Sequence, residues 1–333
     1  MHSTVIMREP PSVVSYAAIG GKKEEEGPMG QYFDKINEDP YFSEDTFEKA
    51  ESQLQKQAVG HALSKGGFSP SDIDVLFGGD LLNQCTGTTY GIKSYEIPFL
   101  GIYGACSTMS EGLLLASLFI DREICRKAMA VTSSHFCTAE RQYRMPLNYG
   151  GQRTPTSQWT ATASGALVVS PSEKAPFVRA CTIGKIVDMG VTDANNMGAA
   201  MAPAAFSTIS TFFEETGMSP SDFDHIVTGD LGAVGSSVLC SLFEKSGISI
   251  EDRHLDCGKM IYDPDTQDVH AGGSGCGCAG SLLCGYFLPK LREGELHNIL
   301  FAATGALLSP TVSQQGGTIP SISHLAWLSH ERG

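Results

Sequence analysis

Gly104-Ala105-Cys106-Ser107-Thr108-Met109-Ser110-Glu111-Gly112 stands where two patterns meet. Before it, residues 96–103 form a β-like run that contains a proline. After it, Met109, Leu113, Leu114, Ala116, Leu118 and Ile120 are too dense for a helix with one wet face, which predicts a helix buried on most sides. Cys106 falls at the start of that helix. Free amide hydrogens and the positive end of the dipole lower a thiol's pKa there and attract anions. Cysteine is also a common small core residue, so these residues alone leave a reactive, an anion-binding and a merely packed Cys106 open.

Working outward, residues 20–30, with the charge run 22–26, read as an exposed loop, and residues 47–63 have helical spacing that stops at Gly66-Gly67. Ser69-Pro70-Ser71-Asp72 is a turn or helix-start signal, and residues 73–77 then read as a buried strand leading into Gly79-Asp80-Leu81. The pattern returns 150 residues later (219 against 69) as Ser219-Pro220-Ser221-Asp222, followed by Gly229-Asp230-Leu231. A second echo pairs Ala130-Val131-Thr132 with Ala302-Ala303-Thr304, 172 residues on, and the same offset carries Cys106 onto Cys278. The chain therefore reads as two related α/β halves, 1–170 and 171–333, each placing a cysteine before a buried helix. Two-fold pseudo-symmetry would bring those helix starts to the cleft between the halves, a common place for ligands.

Residues 133–157 between the repeats are polar and carry Pro146, Pro155, Arg141, Arg144 and Arg153, which predicts a lid or a dimer contact. Residues 159–170 read as a strand, and residues 184–203, rich in Gly, Ala, Met and Asn, as loop and close packing. Asp80 and Asp230 occupy the same place in the two repeats, as turn caps or as ligand contacts, and Asn83 offers a neutral hydrogen-bonding group.

The chain has 333 residues, 41% of them hydrophobic, enough for a large core in about two domains. Its apolar runs fall far short of the ~20 residues of a membrane span, and the N-terminus lacks the apolar core of a signal peptide. Ten irregularly spaced cysteines fit a reducing compartment, so a soluble intracellular protein is expected. Zinc at Cys257, Cys276, Cys278 and Cys284 is disfavoured by the Cys-x-Cys spacing, and no metal or cofactor is expected. The net charge of −14 argues against nucleic acid or an anionic membrane surface as a direct partner, so an anion would need local donors.

Two α/β halves with cysteine-bearing helix starts resemble the thiolase superfamily, whose fold stacks two such halves in five αβαβα layers. The ordered motifs Gly-Asp-Leu-Leu-Asn-Gln at 79–84, Gly-Ala-Cys-Ser-Thr at 104–108, Ala-Glu-Arg-Gln-Tyr-Arg at 139–144, Gly-Gly-Ser-Gly-Cys at 272–276 and Ala-Thr-Gly-Ala-Leu-Leu-Ser-Pro-Thr at 303–311 are similar to one branch of it. That branch is the stage V sporulation protein AD family of spore-forming bacteria. The resemblance implies a non-catalytic, homodimeric protein that binds dipicolinic acid (pyridine-2,6-dicarboxylate), free or as its calcium chelate. It also implies a cytoplasmic protein held at the spore inner membrane by other stage V sporulation membrane proteins, supporting uptake of the acid into the developing spore.

Condensing enzymes of the superfamily carry a His and an Asn where this chain has Thr228-Gly229-Asp230-Leu231 and Gly272-Gly273-Ser274-Gly275. His270 could stand in for one of them, which leaves an acyl-CoA-dependent acyltransferase or condensing enzyme using Cys106 as the alternative. Without those groups a helix-start Cys106 is an anion seat more than a nucleophile. The expected ligand site is then Cys106 with the turn around Gly305 for one carboxylate, and Arg141, Arg144 or Arg153 for the other. Asp80, Asn83, Asp230 and Ser274 complete the candidate set.

Overall fold

A computed structural model describes residues 2–143 and 152–333. Among the described residues the main sheet has 12 strands; Thr4–Ile6 and Lys35–Asn37 pair at its side, and ten form its path, in chain order β1 (Ser12–Gly21), β2 (Val75–Asp80), β3 (Phe99–Gly101), β4 (Ala128–Ser134), β5 (Ala163–Ser170), β6 (Phe177–Thr182), β7 (His225–Thr228), β8 (His254–Asp256), β9 (Asn298–Ala306) and β10 (Ser321–Ser329). From the edge inward the first five run β3-β2-β4-β5-β1, and the second five run β8-β7-β9-β10-β6. Each strand of one set thus has its counterpart five places on in the other. The pairing directions repeat as well: β2 is parallel to β3 and β4, β7 is parallel to β8 and β9, and the remaining pairs within each set are antiparallel. The two sets touch through one pair, Ser12 opposite Phe177.

The main helices are α1 (Phe47–Gly66), α2 (Thr86–Ile92), α3 (Thr108–Asp121), α4 (Phe136–Tyr143), α5 (Met197–Thr216), α6 (Gly232–Lys245) and α7 (Cys276–Leu282). Helix α1 packs on β1, β4 and β5, and α5 packs on β9 and β10 with α6 against it. Helix α3 lies between the sheets, touching β2, β4 and β5 on one side and β9 and β10 on the other. With α7 alongside α3, this is a five-layer α/β thiolase-like arrangement. Leu113, Ala116 and Met109 of α3 are almost completely buried, which explains why that helix shows no polar stripe.

The repeated Ser-Pro-Ser-Asp motifs fold identically. In each, the serine amide donates to the aspartate carboxylate, Ser69 to Asp72 and Ser219 to Asp222, both at 2.8 Å, with proline in the first turn where no amide is needed. Helix α1 starts on the Thr46 hydroxyl and stops at Gly67, whose φ of 67° suits glycine.

Several local expectations are corrected. Residues 22–25 form a helical turn, and Glu24 is buried, accepting from the Thr162 amide and the Tyr262 hydroxyl. The β-like run before Gly104 shrinks to Phe99–Gly101, and the expected strand over 159–170 divides into Trp159–Thr160 and β5. The last third of the presumed loop 184–203, from Met197, is the start of α5, capped by Asn196. Small residues are what that helix needs: a Cβ on Gly198 would lie 2.4 Å from the Leu231 carbonyl oxygen. Cys278 lies inside the first turn of α7 rather than before it. Among the described residues no helix is long and apolar enough to cross a membrane, and no cluster of three His, Cys, Asp or Glu is placed to hold a metal.

Candidate functional site

The turn that carries Cys106 is stitched by its own hydroxyls. Ser107 Oγ donates to the Gly104 carbonyl at 2.7 Å and Thr108 Oγ1 to the Ala105 carbonyl at 2.6 Å, while Ala105 sits at a φ of 49°, uncommon for a residue with a side chain. A short 3-10 turn, Ala105–Ser107, then feeds α3. The C-terminal end of β9 presses on this turn: a Cβ on Gly305 would stand 2.0 Å from the Gly104 carbonyl oxygen. Thr304, Gly305 and Ala306 are therefore the end of a strand, not the free turn expected from sequence.

The second half supplies the floor. Asp230 follows β7 and is fully buried; its Oδ2 accepts from the Gly275 amide at 2.7 Å and from Ser274 Oγ at 3.3 Å. Its Oδ1 is buried with no hydrogen-bond partner among the described residues. The Cys106 thiol faces this carboxyl. Burial pushes the Asp230 carboxyl up to about 7. Burial, with the Asp230 charge behind it, pushes the Cys106 thiol well above its ordinary value. The acidic thiol expected at a helix start is thus reversed, because desolvation and a facing carboxylate outweigh the helix dipole.

Neighbouring Asp256 shows the contrast. Its oxygens accept from Thr228 Oγ1 at 2.6 Å, the Leu231 amide at 2.8 Å and the Gly232 amide at 2.9 Å, so that carboxyl is fully engaged in holding a turn. Asp230 is held instead by the Gly275 amide, the Ser274 hydroxyl and the Cys106 thiol.

Above Cys106 lies a cavity of about 30 Å³, lined among others by Leu81, Tyr103, Tyr143, Met197 and Ser274. A water needs roughly 10–15 Å³ by this measure, so the cavity holds about two. The Tyr103 and Tyr143 hydroxyls meet at 2.9 Å, and Tyr143 also donates to the Leu81 carbonyl. The two rings also line a second, outer vestibule of about 330 Å³, bounded by Asn83, Gln84, Leu307, Ser309 and Pro310. Tyr103, Tyr143 and Leu308 line both cavities.

Cys106, Ser274, Gly305 and Asp230 therefore come together, and Asn83 stands at the entrance, its side-chain oxygen accepting from Gln142 at 3.3 Å. Asp80 does not reach the cavity: it accepts from the Leu82 amide and from the amide and hydroxyl of Thr88, tying β2 to α2. The arginine clamp is also corrected for the described residues. Arg141 pairs with Glu48 at 3.1 Å and lies over Phe47, and Arg153 pairs with Asp268 at 3.0 Å and lies over Trp159, so neither lines the chamber. Arg144 lies outside the described residues. His270 pairs with Asp268 and is likewise not in the chamber lining. Sequence reasoning missed Tyr103 and Tyr143, although Tyr103 directly precedes the Gly104 run.

The described lining of the chamber contains no His, Lys or Arg. A family model described as Stage V sporulation protein AD matches residues 1–329. The chain belongs to the stage V sporulation protein AD family. Stage V sporulation protein AD of Bacillus subtilis (strain 168) is 43% identical over 321 residues, which cover 96% of this chain and 95% of the relative. Among solved structures, a variant of Xanthomonas campestris OleA matches at a TM-score of 0.63 and 15% identity, covering 98% of this chain and all of that one. The 3-oxoacyl-[acyl-carrier-protein] synthase III of Aquifex aeolicus VF5 matches at 0.59 and 12%, covering 96% and 99%. At such identities these structures show a shared thiolase-like fold.

Proposed function

We propose that this sporulation protein is a non-catalytic binder of dipicolinate that supports its uptake into the developing spore together with membrane partner proteins. The observation that carries the reading is that Cys106 is paired with the buried Asp230 carboxyl, with no His, Lys or Arg in the described lining of the chamber. Acyl transfer from a thioester needs a thiolate, a proton carrier and donors for the developing oxyanion. Burial, with the Asp230 carboxyl beside it, pushes the Cys106 thiol the opposite way, well above its ordinary value. The vestibule suits a small planar diacid: at about 330 Å³ it lies at the lower end of the ~300–1,000 Å³ usual for ligand pockets. It also carries the Asn83 and Gln84 amides for a ring nitrogen or carboxylate and two tyrosine rings beside it. The inner chamber is too small for the whole ligand, so one carboxylate reaches toward Cys106 when Tyr103 and Tyr143 part.

Calorimetric titration of the purified protein should show saturable heat with dipicolinate and none with acetyl-CoA. Mass spectrometry after the acetyl-CoA incubation should find no acyl group on Cys106. An acyl-Cys106 that discharges onto an acceptor, with no dipicolinate heat, would establish the enzyme reading instead.

The same reading includes a homodimer. Strand β3 is the free edge of the first sheet, and Leu100, Tyr90 and Tyr103 near it are exposed. Pairing β3 with a second copy would cover an edge that otherwise invites uncontrolled pairing. Light scattering at micromolar concentration should give twice the chain mass, and Leu100→Lys should shift the protein toward monomer; a monomeric parent protein would sink the dimer.

A further inference from the structure

The chamber at Cys106 is closed to anything larger than water. Its volume is about 30 Å³ against about 330 Å³ for the vestibule, and Tyr103, Tyr143 and Leu308 line both. A ligand group bigger than about two waters must therefore displace part of that shared wall.

The wall is held by the last turn of α4. Gln142 grips the 81–83 segment with both ends of its amide: Nε2 donates to the Leu81 carbonyl at 2.9 Å and to Asn83 Oδ1 at 3.3 Å, and Oε1 accepts from the Asn83 amide at 3.1 Å. Tyr143 gives its hydroxyl proton to the same Leu81 carbonyl, so Tyr103 is the donor where the two hydroxyls meet at 2.9 Å. The gripped segment runs straight into Gln84 and Cys85, two successive non-glycine residues at φ of 62° and 51°. Left-handed residues of this kind persist only where their surroundings hold them. The Cys85 thiol is tied in turn to the Ile102 carbonyl at 3.3 Å, one residue before Tyr103. Gln142 and Tyr143 are both only partly buried, so water can replace their hydrogen bonds at small net cost.

We propose that the last turn of α4 is the door of the Cys106 chamber and Gln142 its latch: a ligand group enters when Gln142 and Tyr143 release the 81–83 segment and Tyr103 turns outward with them. The inference rests on the proposed ligand reading for what enters, and adds the residues that set how fast it does. Gln142 is a positioning residue here, acting through Tyr143. Strain at Gln84 and Cys85 favours release, and the hydrogen bonds of Gln142 and Tyr143 oppose it.

Opening is read without the ligand, by the rate at which iodoacetamide alkylates Cys106, a chamber residue only 6% exposed. Peptide mapping follows it beside Cys181, which is wholly buried in the core and reports global unfolding. Gln142→Ala and Tyr143→Phe should each speed Cys106 alkylation about tenfold, the effect of losing one or two net hydrogen bonds, with Cys181 still unlabelled. Stopped-flow mixing should show dipicolinate associating and dissociating faster in both variants, with Kd changed much less. Tyr143→Phe keeps the ring, so it decides the matter even where Gln142→Ala folds poorly. Unchanged Cys106 rates in the variants overturn the door, and so does Cys181 alkylation in step with Cys106, which would mean that the whole fold has to open. Faster Cys106 alkylation that saturating dipicolinate does not slow leaves the door standing and overturns the ligand reading.

Discussion

Asp230→Asn is expected to stabilise the free protein by about 3 kcal/mol more at pH 8 than at pH 5. In the unfolded chain an aspartate titrates near its ordinary value of about 3.9, whereas burial raises Asp230 in the folded protein to about 7. Between those values the folded state holds a proton that the unfolded state has released. Folding stability therefore falls as pH rises, by about 1.4 kcal/mol per unit, until Asp230 ionises in the fold as well. Asparagine keeps an oxygen for the Gly275 amide and Ser274 hydroxyl and removes the titration. Its amide nitrogen is left poorly paired in the buried site, a cost that is the same at both pH values and drops out of the comparison. Glu24, Glu51, Asp80 and Asp256 are also buried carboxyls pushed upward, but parent and variant share them. Denaturant midpoints at pH 5 and pH 8, with unchanged transition slopes, check the difference; equal shifts at both would mean that Asp230 is not held protonated in the fold. A residue that costs the free protein stability at neutral pH, and could be relieved by one atom's change, fits a role in binding better than a role in folding.

The parts of this architecture that are local in sequence were the legible ones. The two Ser-Pro-Ser-Asp turns could be matched because each capping box closes within four residues, and the Cys106 turn because a dense apolar helix follows it at once. What depended on a partner far along the chain was not legible. Nothing around Cys106 in sequence indicates that the thiol is buried against Asp230 of the other half, which reverses the effect of the helix start. Arg141 and Arg153 looked available for a ligand because their carboxylate partners, Glu48 and Asp268, lie on other segments. Glu24 looked solvated within its charge run because its neighbours Lys22 and Glu25 are partly or fully exposed, while Tyr262 and Thr162 receive it from elsewhere. Helix α5 was hidden by composition: Gly198 and Pro203 weaken helix propensity, yet the tight approach to the Leu231–Gly235 segment requires small residues there.

Gly305→Ala should be among the most damaging small substitutions in the chain, because it acts on the contact that fixes the Cys106 turn. Gly305 lies in β9 in an ordinary strand conformation, so its backbone angles do not require glycine. Space does. A methyl group there would stand 2.0 Å from the Gly104 carbonyl oxygen and 3.1 Å from the Cys106 amide nitrogen. Both are backbone atoms, and the Gly104 carbonyl is already fixed by the Ser107 hydroxyl and amide, so no side-chain rotation can relieve the clash. Either β9 or the turn must move by an ångström or more, a change at or above the usual ~1–3 kcal/mol of core overpacking. Movement of the turn would also carry Cys106 away from Asp230, so dipicolinate binding should weaken by more than the loss of stability alone explains. Gly67→Ala is the matched control. It adds the same methyl in open space at a φ of 67°, where the cost is the left-handed conformation alone, about 1 kcal/mol, at the far end of α1 from the chamber. Thermal unfolding and dipicolinate titration of the two variants should separate them: Gly67→Ala mildly destabilised with full binding, Gly305→Ala strongly destabilised with binding lost. If Gly305→Ala binds as the parent does, the end of β9 does not set the position of Cys106.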